Sequence, residues 1–154
     1  NASQLHSGIG PISMDQLAKR RKERQGVPLD LVVFSACRTA LGDANAELGF
    51  SGLALQAGAR SAVGTLWYVD DVVTSAYFVQ MYRYLDQGIP KAEAMQLTRQ
   101  AFARNLVRLD GDRLLGVNDQ PLLLNLTPSQ QRRVSSGVNN PFFWAGIALM
   151  GSPW

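Results

Sequence analysis

Three apolar runs set the limits on what this chain can become: LDLVVF at 29–34, SAVGTLW at 61–67 and FFWAGIALMG at 142–151. Apart from Asp30, they are too continuous to give one wet and one dry face. Such runs suit strands covered on both sides. Helical segments stand between them. Phe50 to Ala57 reads as a short helix stopped by Gly58, and Val72 to Leu85 as a longer one capped by Asp70 or Asp71. Val73, Ala76, Tyr77, Met81 and Tyr82 mark the apolar side of the longer helix. In QGIPKAEAM, Gly88 stops that helix and Pro90 suits the first turn of another, running to about Leu106. Upstream, SMDQ at 13–16 is a capping box for a helix from Met14 to Arg24, which Gly26 and Pro28 stop.

Strands alternating with helices predict an α/β fold, a mostly parallel sheet with helices on both faces. Residues 107–138 break that pattern. They hold an apolar knot, PLLLNL, among turn formers, and read as an insertion or partly ordered loop within a single domain over 1–154. Gly42, Gly49 and Gly52 read as turn and cap residues. Trp67 and Trp144 read as core residues at strand ends, or as walls of a pocket.

Composition removes several function classes. A chain of 154 residues buries a real core. No apolar stretch reaches the ~20 residues that cross a bilayer, so no membrane partner is expected. One cysteine cannot form an internal disulfide, which points to a reducing, cytoplasmic compartment. One cysteine and one histidine cannot hold a metal. No GxxxxGK[ST] occurs, and no GxGxxG follows a strand, so no cofactor is expected. The formal charge of +3 comes from one cluster, Lys19, Arg20, Arg21, Lys22 and Arg24 around Glu23, late in a predicted helix. Cations there favour the negative end of the helix dipole, and a solvated helix end rather than a nucleic-acid surface is the reading. Asn1 and Ala2, with no initiator methionine, suggest a piece of a longer chain.

In open α/β sheets chemistry gathers beyond the carboxyl ends of strands. Cys37 lies there, in VVFSACRTALGD, and so does the Asp70–Asp71 pair in WYVDD, after adjacent predicted strands. Two readings of Cys37 stand side by side. As a nucleophile it has small neighbours, Ser35 and Ala36, a cation at Arg38 to lower its pKa, and backbone amides at the turn to hold an oxyanion. As packing, it is simply one of the most commonly buried residue types. Position and composition alone favour packing.

Four segments then tip the balance. FSACRTALGD, LGFSGLALQAGARSAVGTLWYVDD, IPKAEAM and NPFFWAGIALMG, in that order, resemble the CHAT domain family. Its members are caspase-like peptidase domains, often found beside tetratricopeptide repeats and similar to separase and caspases. The resemblance runs from about Gly10 to Gly151. It implies the C-terminal portion of a three-layer caspase-like sandwich, with Cys37 as the catalytic thiol. It also implies that Asp70 and Asp71 line the pocket for a basic residue before the cut. The implied partners are a protein or peptide substrate and a tetratricopeptide-repeat or other regulatory domain in the parent protein.

The family's catalytic histidine ends an apolar strand in a His-Gly segment. Here the single histidine is His6, followed by Ser7-Gly8, with NASQL before it as a poor strand. LHSGIGPISMDQL matches the segment after that loop better, so the base is expected upstream of Asn1. Without it, acid and base steps worth ~10²–10⁴-fold each are missing, and the chain alone is expected to be inactive on peptides. The competing class is a non-catalytic scaffold or interaction module of the same fold. A flavodoxin-like small-molecule binder would fit the alternation but leaves SAC and WYVDD unexplained.

Overall fold

The computed structural model describes residues 4–7, 10–13, 27–34, 49–56 and 58–154. The chain divides into two compact units, Asn1–Leu66 with Ala148–Ser152, and Trp67–Ile147 with Pro153–Trp154. The expected helix at 14–24, the basic cluster within it, Gly42 and Cys37 lie outside the described residues.

In the first unit, β1 (Gln4–Ser7) and β2 (Gly10–Ser13) form an antiparallel hairpin that pairs His6 with Pro11. Gln4 and Leu5, the end of the stretch before His6 that reads as a poor strand, lie in β1 and pair with Ser13 and Ile12. The central element is β4 (Ser61–Thr65), every residue of which is buried. β3 (Val32–Val33) pairs with it in parallel, Val32 opposite Ala62 and Val33 opposite Val63. The pairing continues beyond the short strand. Leu29 bridges Ala59 in the same sense, and the Phe34 amide donates to the Val63 carbonyl at 2.9 Å.

On its other side β4 is bonded to β8 (Ile147–Gly151). The Ser152 amide donates to the Arg60 carbonyl at 2.9 Å, and the Ser61 hydroxyl to the Ser152 carbonyl at 2.8 Å. The end of β8 thus lies beside the start of β4, so the two run in opposite directions. Parallel pairing, expected for most of the sheet, is carried among the described strands by β3–β4. Helix α1 (Gly49–Gln56) packs against β4. Ala54, Phe34 and Ala62 make the apolar centre there, with Val32, Leu55 and Ala59 around them. Gly52, read as a turn residue, is a buried position inside this helix.

The second unit holds helices α2 (Asp71–Asp86) and α3 (Lys91–Ala103), which pack on one another. Tyr77 joins them. Its ring meets Phe102 at 5.6 Å and Phe78 edge-on at 5.9 Å, and its hydroxyl donates to the Met95 carbonyl at 3.3 Å. Tyr82, placed on the apolar side from the sequence, is 49% exposed. It stands nine residues from Val73, two and a half turns of helix, and so faces the opposite way. Helix α3 ends at Ala103 rather than near Leu106. Asn105 turns left-handed (φ 56°), its amide bonds to the Phe102 carbonyl, and the Leu106 amide bonds to the Ala101 carbonyl. That is a Schellman ending with asparagine in the left-handed place.

Residues 107–138, read as an insertion or partly ordered loop, are built of regular elements. Strands β5 (Arg108–Asp110), β6 (Arg113–Leu115) and β7 (Pro121–Leu123) form an antiparallel meander. Helix α4 (Pro128–Val134) follows. Leu114, Leu122, Leu126, Val134 and Val138 are buried, so the apolar knot gives Leu122 and Leu126 to the core while Leu124 is exposed. Gly111, at φ +60°, takes the first central place of the two-residue β5–β6 turn, where a side chain would be strained. The meander is tied to α2 by two side chains. Gln80 accepts from the Val117 amide at 3.2 Å, and Arg83 donates to the Pro121 carbonyl at 2.6 Å.

Candidate functional site

Beyond β4 the chain runs through Trp67, Tyr68 and Val69 to Asp70, where α2 begins. Four free amides at a helix start demand acceptors. Asp70 supplies one: its Oδ1 accepts from the Val72 and Val73 amides at 2.9 and 3.2 Å. The Thr74 hydroxyl in turn donates to the Asp70 carbonyl at 2.8 Å. Of the two candidate caps, Asp70 is the cap, and its side chain is only 14% exposed.

That leaves Asp70 Oδ2 and the whole carboxylate of Asp71, which is 77% exposed. Both meet the same group. Arg133, in the last turn of α4, places Nη1 at 2.6 Å from Asp71 Oδ1 and 3.1 Å from Asp70 Oδ2. The Arg133 guanidinium holds the Asp71 carboxyl below the usual carboxylate range, chiefly through that hydrogen bond. Asp70 and Asp71, neighbours in the sequence, thus share one partner, an arginine that sequence reasoning missed. A signal for it existed. TPSQ at 127–130 is a capping box, which starts a helix and sets Arg133 one turn on. Both halves of the box form, between Thr127 and Gln130.

Beside the start of α2, Trp67 is half-buried rather than core. Its indole N–H donates to the Phe142 carbonyl at 2.9 Å, and its ring stacks on Phe142 at 6.1 Å. Gly146 presses against the ring; an added Cβ would lie 2.5 Å from Trp67 Cε2. Trp144 is also half-buried.

A depression of ≈ 430 Å³ lies along α3, walled by Pro90, Glu93, Leu97 and Trp154 among others, and neither aspartate lines it. Among the described residues no three of His, Cys, Asp and Glu gather as a metal site would need. No helix among them is long and apolar enough to cross a membrane. His6 stands in β1, opposite Pro11.

The model of one family, the CHAT domain, matches residues 3–152, nearly the full chain. The chain belongs to the CHAT domain family. No curated protein and no solved structure matches it. The matched span of this CHAT domain takes in His6, Cys37, Asp70 and Asp71, and also Arg133.

Proposed function

We propose that this CHAT domain is the nucleophile-bearing portion of a caspase-like cysteine endopeptidase, built on the three-layer sandwich of that fold. Cys37 is the attacking thiol, and Asp70 and Asp71 receive the basic side chain before the cut. One observation supports this above the others. β3 and β4 are parallel neighbours, so both end on the same side of their sheet. Cys37 comes three residues after Phe34, and Asp70 five after Thr65. In α/β folds chemistry gathers beyond the carboxyl ends of strands, and both residues follow strands in the sequence.

The chemistry asked of these residues is direct. The Cys37 thiolate attacks the peptide carbonyl carbon, the C–N bond breaks as the departing amine takes a proton from solvent water, and a thioester remains for water to hydrolyse. Arg38 favours the thiolate by its charge. A carboxylate pair selects Lys or Arg through charge-assisted hydrogen bonds. His6 is the chain's one histidine, and the reading does not use it as the base.

Thiol labelling tests the reading without requiring turnover. Chloromethyl ketones ending in arginine and in norleucine are compared in their rates of alkylating the folded chain. Cys37 is expected to label, faster with the arginine reagent; Cys37→Ala abolishes labelling and Asp71→Asn weakens the preference. A Cys37 that resists both reagents in the folded chain overturns the reading, and the scaffold class takes its place.

A further inference from the structure

We infer that Arg133 is a built-in occupant of the acid pair, an arginine of the chain itself seated where an incoming basic side chain would bind and which that side chain must displace. The inference rests on the proposed role of Asp70 and Asp71 and adds a regulation of that site. Its basis is geometric. One nitrogen of Arg133 reaches oxygens of both carboxylates, at 2.6 and 3.1 Å. A substrate guanidinium or ammonium bridging the pair would compete for those same oxygens, since Asp70 Oδ1 is already committed to two backbone amides. The two occupants therefore compete for the pair.

The arginine is also delivered by a fixed element. Helix α4 is held at its start by the reciprocal Thr127–Gln130 box. Gln131 ties it back to the Leu126 carbonyl at 2.7 Å. At its end Val134, adjacent to Arg133, is buried. With the backbone pinned on either side, Arg133 returns to one place. Its side chain is nevertheless 42% exposed, so it can swing into solvent while the helix stays seated. That combination suits a latch of low strength, opened by a competing cation.

The test uses the two reagents above on the whole chain, with Arg133→Gln and Arg133→Ala and, as a control, the neighbouring Arg132→Gln. Thermal melting confirms that each variant is folded. Removing Arg133 is expected to raise the rate with the arginine reagent by about fivefold, the order expected when an exposed ion pair no longer competes. The norleucine rate and the Arg132→Gln rates stay at wild-type values. Adding Asp71→Asn to Arg133→Gln cancels the gain. If the arginine preference exists but is the same with and without Arg133, the latch is refuted while the acid-pair reading survives. If neither wild type nor the Arg133 variants prefer arginine, the acid-pair reading fails and the latch goes with it.

Discussion

Asp70 and Asp71 are adjacent carboxylates with different work. Asp70 caps a helix through two amides, so Asp70→Ala is expected to lower stability by about 1 kcal/mol in urea denaturation. Asp71 is solvent-facing, and Asp71→Asn should stay within about 0.5 kcal/mol of wild type. Its titration carries the sharper forecast. The folded carboxyl is held low by Arg133, so its small stabilising contribution is present above the ordinary value of 3.8 and fades as pH falls through the depressed one. Carboxyl NMR titration should find Asp71 rising toward 3.8 in Arg133→Gln. Gly146 makes a different demand. A methyl at that position runs into the Trp67 ring, and Gly146→Ala is expected to cost about 1–3 kcal/mol by thermal or chemical unfolding.

Elements were legible in proportion to their length. Helix α2 was predicted to within a residue at either end, because Asp70 caps it and its apolar positions recur for four turns. Strand β4 was legible because all five residues are apolar or small. The meander was not, because three-residue strands are too short to display a period. Its one local sign was LDGDRL, a glycine-led two-residue turn between short apolar stretches. Missing the meander hid α4, and with it Arg133. Leu114 sits in the middle of β6, fully buried, and Leu114→Ala should cost about 2–5 kcal/mol, read from the urea midpoint. Thr127→Ala should loosen α4 alone, seen as faster hydrogen exchange at the Gln130 amide with little change elsewhere.

At the scale of the whole chain, composition and four ordered segments led to the α/β class and the CHAT family, and the family match covers residues 3–152. What they could not reach was pairing between distant residues, such as Asp71 with Arg133, 62 positions apart. Behaviour in alkali is a global consequence of one interior phenol. Burial pushes Tyr77 up to about 12. A raised folded value means that its stabilisation is complete below the unfolded value near 10 and is lost as pH climbs from there to about 12. Ultraviolet titration should show one of the four tyrosines ionising last, together with unfolding, and Tyr77→Phe should remove that late step.

The indole at position 67 has its N–H tethered to the carbonyl of residue 142 and its ring pressed between Phe142 and Gly146. Its ultraviolet emission colour therefore reports whether the 141–146 turn is closed. Replacing the other two tryptophans, at 144 and 154, by phenylalanine would leave a dye-free optical gauge of that turn, one that shifts to the red as water reaches the ring.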